Sequence, residues 1–228
     1  MKQLSVVALL ILMLGSGSFA FAQKNSEQLD HYKKLYEQGL KYNDLSVAAQ
    51  AVHGILASDP DADNWLDTLA TIYFQRGAFA QCLLTTNDAL KKDPDNQTTI
   101  EMRAVCKENL GLLKEALADY EFLYSKSQNI YHMYQISTIQ YGLRRFGECE
   151  QSVNRMLSDP RGKEETILIS TDRGQQRVPF HAACQNLLGV LMLDVGKKDV
   201  AKKHFEQAVS IYPEFVLAKA NLEAMNKQ

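Results

Sequence analysis

A spacing of 34 residues recurs along this chain and constrains it more than any other feature. Asp59-Pro60 returns as Asp93-Pro94, and Asn43, Gly77 and Gly111 step by the same 34. Between them runs Trp65-Leu66-Asp67-Thr68-Leu69-Ala70-Thr71-Ile72-Tyr73-Phe74-Gln75-Arg76-Gly77. A fixed period of this length, with apolar residues at helical spacing and a glycine at the turn, predicts stacked helical hairpins in an all-α solenoid.

Each repeat reads as two antiparallel helices. In the clearest unit, Leu66, Leu69, Ala70 and Tyr73 stripe the first helix, and Cys82, Leu83, Thr86, Ala89 and Leu90 stripe the second. Gly77 stands where the chain turns and positive φ is tolerated. Lys91 and Lys92 complement the helix dipole in the last turn, and Pro94 stops the helix. The first unit has Asn43 at the turn, and asparagine also enters the left-handed region. The third has Gly111 at the turn and Gln128 in place of the closing proline. The fourth lacks a turn glycine in register, which predicts a distorted turn near Gly142 to Arg145. The fifth carries Leu188-Gly189, Gly196, Ala201, Phe205, Ala208 and Pro213, and an amphipathic stretch from Phe215 to Asn226 reads as a capping helix.

Residues 1–22 read as a leader. Lys2 precedes an apolar run from Leu4 to Leu14, and Ala20-Phe21-Ala22 supplies a small-x-small cleavage pattern, with Gln23 as the expected new N-terminus. The apolar run is shorter than the roughly 20 residues a membrane span needs; an uncleaved anchor is the other reading. The expectation is a periplasmic or secreted product whose solenoid occupies residues 23–228, as about five helix pairs plus the cap. The formal net charge of −2 includes Lys2, so no basic field is offered to nucleic acid or anionic lipid. Oligomeric state is not encoded in any motif.

Four cysteines in an exported chain first suggest disulfides. Cys82 and Cys149, however, fall where the second helix needs a small buried residue, and Cys106 and Cys184 fall in first helices. Free buried thiols are expected, with Cys82–Cys106 and Cys149–Cys184 bridges as the alternatives. The five histidines are scattered and none has metal-ligand spacing. No phosphate loop or nucleophile elbow is present, so neither cofactor nor metal is expected and the chain reads as non-catalytic. His181 and Cys184, three apart on a helix, are the one arrangement that an enzyme could use, either as a thiol dyad or in the accessory segment of an envelope enzyme; a buried cysteine beside a surface histidine is the plainer reading.

The pattern resembles the tetratricopeptide repeat family over nearly all of residues 26–228. The matching residues are Leu66, Leu69-Ala70, Tyr73, Gly77, Ala89 and Pro94, and again Leu188-Gly189, Gly196, Ala201, Phe205, Ala208 and Pro213. The resemblance implies a right-handed superhelix whose first helices line a concave groove for a peptide or partner protein. Carried over position by position, the groove would use Asn64, Asp67, Thr71, Phe74 and Gln75. Glu101, Val105 and Glu108 follow, then Gln135 and Ile139, then Asn186 and Val190. One subclass of the family clamps a terminal carboxylate with Lys, Asn and Arg; here Asp67 and Glu101 stand in place of Lys, and Met102 in place of Arg. The implied partner is a protein or peptide of the cell envelope that is neutral or basic rather than acidic.

The period breaks once. About 17 extra residues separate the fourth unit from the fifth, and residues 163–180 carry Thr166-Ile167-Leu168-Ile169-Ser170, a glycine-containing turn, and Gln176-Arg177-Val178-Pro179. This reads as a β-hairpin. Two uses are open. The hairpin either seals the core at the irregular fourth repeat, with Ile167, Ile169, Val178 or Phe180 packed on the solenoid, or offers an edge with Ile167, Ile169, Arg173 and Val178 to a partner.

Overall fold

The structure is a computed structural model and describes residues 26–59, 64–171 and 174–227. The leader, Pro60, Arg173 and the residues between Pro60 and Asn64 lie outside that range. The chain divides into two compact units, one ending at Cys106 and the other beginning at Lys107.

The first unit contains α1 (26–41), α2 (Leu45–Ser58), α3 (Trp65–Gln75), α4 (Phe79–Lys92) and most of α5 (Gln97–Asn109). Its core joins Ala48, Ala49, Val52, Leu69 and Ile72, with a second cluster of Ala70, Cys82 and Cys106. The second unit contains the end of α5, then α6 (Leu113–Ser127), α7 (Ile130–Gly142), α8 (Phe146–Ser158) and the short α9 (Arg161–Glu164). A hairpin follows, β1 (Thr166–Thr171) and β2 (Gly174–Pro179), and then α10 (Phe180–Asp194), α11 (Lys198–Ile211) and α12 (Val216–Asn226). The helical-hairpin architecture and its small antiparallel sheet therefore follow the sequence expectation.

Helix pairs are joined by one recurring turn. At Asn43, Gly77, Gly111, Arg144 and Gly196 the backbone enters the left-handed region, with φ of 54°, 67°, 74°, 59° and 79°. At each, the residue's N–H donates three residues back and the next N–H donates five back, as in Gly77 to Phe74 and Ala78 to Tyr73. These paired bonds satisfy carbonyls that the helix end leaves open. The fourth turn corrects the expectation of distortion. Arg144 donates to Tyr141 and Arg145 to Gln140, so the geometry is regular and an arginine occupies the glycine position. The register slips by one residue there, which hid it.

Seven residues before Gly196 and nine after it, α10 and α11 meet closely. Gly189 faces Phe205, and a Cβ at 189 would overlap the Phe205 ring. Counted from Gly77 and Arg144, the same places hold Ala70 and Thr86, and Ser137 and Val153, all buried.

The hairpin pairs antiparallel, with Ile167 opposite Val178 and Ile169 opposite Gln176. Ile167, Val178 and Phe180 are buried in the core of the second unit. The Gln176 carboxamide donates to the Glu214 carbonyl and accepts from the Val216 N–H, tying the hairpin to the start of α12. This corrects the edge assignment for Ile167 and Val178, which point into the core. Ile169 is partly buried against the same core.

Candidate functional site

The first unit holds a cleft of about 580 Å³ formed by its first helices. Helix α1 contributes Tyr36 and Leu40, one turn apart. Helix α3 contributes Asp67, Thr68, Thr71, Ile72 and Gln75, preceded by Asn64 at its N-cap. These positions repeat at three and four residues and so form one helical stripe. Asn96, Thr98, Thr99 and Met102 close the cleft from the start of α5. A smaller recess of about 230 Å³ adjoins it, sharing Asn64, Asp67 and Asn96 and adding Lys92 and Asp93.

The polar wall is organised by Asp67. Its carboxylate accepts from the Thr99 hydroxyl at 2.6 Å, linking α3 to α5. The Thr68 and Thr71 hydroxyls donate to the Asn64 and Asp67 carbonyls, so they offer a ligand acceptors rather than donors. The Asn96 side-chain oxygen accepts from the Thr99 N–H and caps α5. The Asn64 backbone takes a left-handed φ of 63° and its side chain makes no capping bond, which leaves an exposed carboxamide facing the cleft. Gln75 adds another exposed carboxamide one helical face further on. Each carboxamide pairs a donor with an acceptor, the same complement a peptide bond carries. Tyr36, Leu40, Ile72 and Met102 supply the apolar wall; Leu40 is 47% exposed and Tyr36 is held edge-on to Trp65 at 5.1 Å. Among the described residues, no lysine or arginine lines the main cleft. Asp67 is the one formal charge among its described lining residues.

The structure brings Asn64, Asp67, Thr71 and Gln75 together in the cleft and sets the other groove candidates elsewhere. Phe74 turns to pack on Phe79. Glu101 and Val105, both half-buried, do not line the cleft. Glu108 accepts from the Tyr120 hydroxyl at 2.8 Å, and burial raises its carboxyl above the usual range. Gln135 donates to Tyr131, and Ile139 is a core residue. Asn186 is bonded to Asn221 of the capping helix, and Val190 packs against the second unit's core. Met102, placed by the sequence where a carboxylate clamp needs Arg, does line the cleft, whereas Tyr36, Leu40, Asn96 and Thr99 were missed. The i, i+4 pairing of Tyr36 with Leu40 is the signal that could have found two of them.

The His181 and Cys184 pair is corrected as well. His181 is buried, not a surface residue, and its Nε2 lies 3.2 Å from the carbonyl oxygens of Met156 and Asp159. Cys184 is fully buried, which pushes its thiol up to about 12, so no nucleophilic thiolate is available at neutral pH. All four cysteines are free and buried. The Cys82 and Cys106 thiols share a hydrogen bond that raises the first and lowers the second. Among the described residues, no three His, Cys, Asp or Glu side chains cluster as metal ligands, and no helix is long and apolar enough to cross a membrane.

No protein-family model matches the chain, and no curated protein matches it by sequence. Solved structures do match. A tetratricopeptide repeat protein from Parabacteroides merdae superposes with a TM-score of 0.67 at 18% identity, over 88% of this chain and 73% of that one. YrrB, a TPR protein with an unusual peptide-binding site, superposes with a TM-score of 0.65 at 15% identity, over 89% and 95% of the two chains. MamA from Desulfovibrio magneticus gives a TM-score of 0.63 at 10% identity, over 83% and 97%. The chain has a tetratricopeptide-repeat fold. Its five left-handed turns are the repeat's inter-helix turns, and the cleft is lined by first helices of this tetratricopeptide-repeat chain.

Proposed function

We propose that this protein is an exported, non-catalytic interaction scaffold of the cell envelope, and that the cleft on α1, α3 and α5 holds an extended, neutral or basic peptide segment of a partner. The observation that carries the reading is the lining itself. Among the described residues, two exposed carboxamides and one carboxylate face an apolar wall, without a cation, in a cleft large enough for a few residues. Carboxamides suit a peptide backbone, Tyr36, Leu40, Ile72 and Met102 suit apolar side chains, and Asp67 favours a basic neighbour. A peptide-binding site on the similarly folded YrrB supports this use of the fold. Export rests on the leader pattern of residues 1–22.

Fluorescence anisotropy against a panel of neutral, basic and acidic peptides tests the cleft. Neutral and basic peptides should bind, and Leu40→Ala or Gln75→Ala should weaken them. Equal binding of acidic peptides, or indifference to both substitutions, would remove the reading. Mass spectrometry of the protein from a periplasmic fraction tests export: the N-terminus should be Gln23.

A further inference from the structure

The two edges of the hairpin differ in chemistry. The Phe180 N–H donates to the Glu165 carbonyl just beyond the strands, which fixes the alternation of bonds along the ladder. Ile167, Ile169 and Thr171 exchange hydrogen bonds with β2, and Thr166, Leu168 and Ser170 aim their N–H and C=O groups at the outer edge of β1. All three are exposed, and Leu168 is 52% exposed although it is a leucine. The outer edge of β2 carries Arg177 and Pro179, a charge and a residue with no N–H, which oppose further strand pairing. The outer edge of β1 has neither. From Thr166 to Thr171 it holds no charge and no proline.

We propose that β1 pairs with β1 of a second copy of this chain, across a twofold axis at Leu168. The result is a four-stranded antiparallel sheet in the order β2, β1, partner β1, partner β2. An edge of open N–H and C=O groups calls for an extended backbone. The sequence of the strand says whose. Thr166-Ile167-Leu168-Ile169-Ser170 is symmetric in chemistry about its centre. Antiparallel self-pairing sets Leu168 against Leu168 of the partner subunit, each isoleucine against the other isoleucine, and the threonine hydroxyl against the serine hydroxyl. The outward groups of Thr166, Leu168 and Ser170 then form up to about six backbone hydrogen bonds. The exposed leucines cover one another on the outer face, and the isoleucines extend the apolar inner face on which Ile169 is only partly buried. Such an interface is isologous, as a twofold dimer requires. It lies in the second unit and does not depend on the cleft reading.

Sedimentation velocity of the chain from Gln23 onward, over a dilution series, tests this directly. A concentration-dependent dimer is expected. Leu168→Lys sets like charges against each other at the axis, and Ser170→Pro removes an outward N–H; each should raise the dimer dissociation constant by about tenfold or more. Gln175→Lys, on the other strand, should leave it unchanged. Circular dichroism confirms that each variant remains folded. Hydrogen exchange should show the Leu168 and Ser170 amides gaining protection as protein concentration rises. A wild-type chain that stays monomeric at millimolar concentration overturns the proposal. So does a dimer that survives Leu168→Lys, or protection that rises elsewhere but not in β1.

Discussion

At the residue scale, the turn position shows how a backbone requirement can be met by unlike side chains. Gly77 and Arg144 hold nearly the same left-handed φ with the same pair of turn hydrogen bonds. Nothing lies within 4 Å of where a Cβ on Gly77 would stand, so Gly77→Ala isolates the backbone term. It should destabilise the protein by about 1 kcal/mol. Arg144 already bears that strain, partly offset by its guanidinium over the Phe146 ring at 5.4 Å. Arg144→Gly should therefore stabilise, by about 0.5 kcal/mol. Urea unfolding of the two variants checks the pair. Equal and opposite signs support a shared turn, and destabilisation by both would mean that Arg144 contributes more through its side chain than its backbone costs. Gly189 is constrained differently, by contact. Phe205 is fully buried and cannot move aside, so Gly189→Leu should overpack the α10–α11 pair and lower stability by about 1–3 kcal/mol.

At the element scale, the hairpin behaves as part of the second unit's core. Ile167 and Val178 are 6% and 0% exposed, and Gln176 holds the loop before α12. Replacing Thr166–Pro179 by a short Gly/Ser linker should keep the helical signal and lower the melting temperature, with a loss of about 2–5 kcal/mol from the two apolar side chains. An unchanged melting temperature would show that the hairpin does not seal the core. The hairpin was legible because β-branched residues and a Gly-containing turn interrupt a helical period. Its inner face was legible too, because an isolated hairpin needs a core and Ile167, Ile169, Val178 and Phe180 are the apolar residues it offers; the anchor that Gln176 makes to Glu214 and Val216, far along the chain, was not. The cleft was half legible for a related reason. Asn64, Asp67, Thr71 and Gln75 share a helical stripe that sequence alone defines. Thr99 joins them only because Asp67 reaches across from α3, and Asn186 is lost to Asn221, a partner 35 positions away. His181 looked like a surface residue because α9 was not foreseen; Gly162 of that short helix lets the imidazole lie against it, since a Cβ there would meet the ring.

At the scale of the whole molecule, the buried thiols tie stability to alkaline pH. Burial pushes Cys149 and Cys184 up to about 12, from about 9 in the unfolded chain. Between those values the folded protein keeps protons that the unfolded chain releases. Rising pH therefore favours unfolding, and the stabilisation present below about pH 9 is lost progressively toward pH 12. Each such thiol contributes a slope of about 1.4 kcal/mol per pH unit inside this window. Tyr134, also raised by burial, acts in the same direction at higher pH. Cys184→Ala removes one titrating thiol and leaves the others. Its absolute stability falls because a small cavity opens, but its slope between pH 9.5 and 10.5 should be shallower than wild type by close to one proton, about 1.4 kcal/mol per pH unit. Urea unfolding at the two pH values, under reducing conditions, separates the cavity loss from the titration. Identical slopes for the two proteins would mean that Cys184 ionises in the folded state as readily as in the unfolded one. The thiol would then be reachable by solvent, and the inert core position assigned to it in α10 would be wrong.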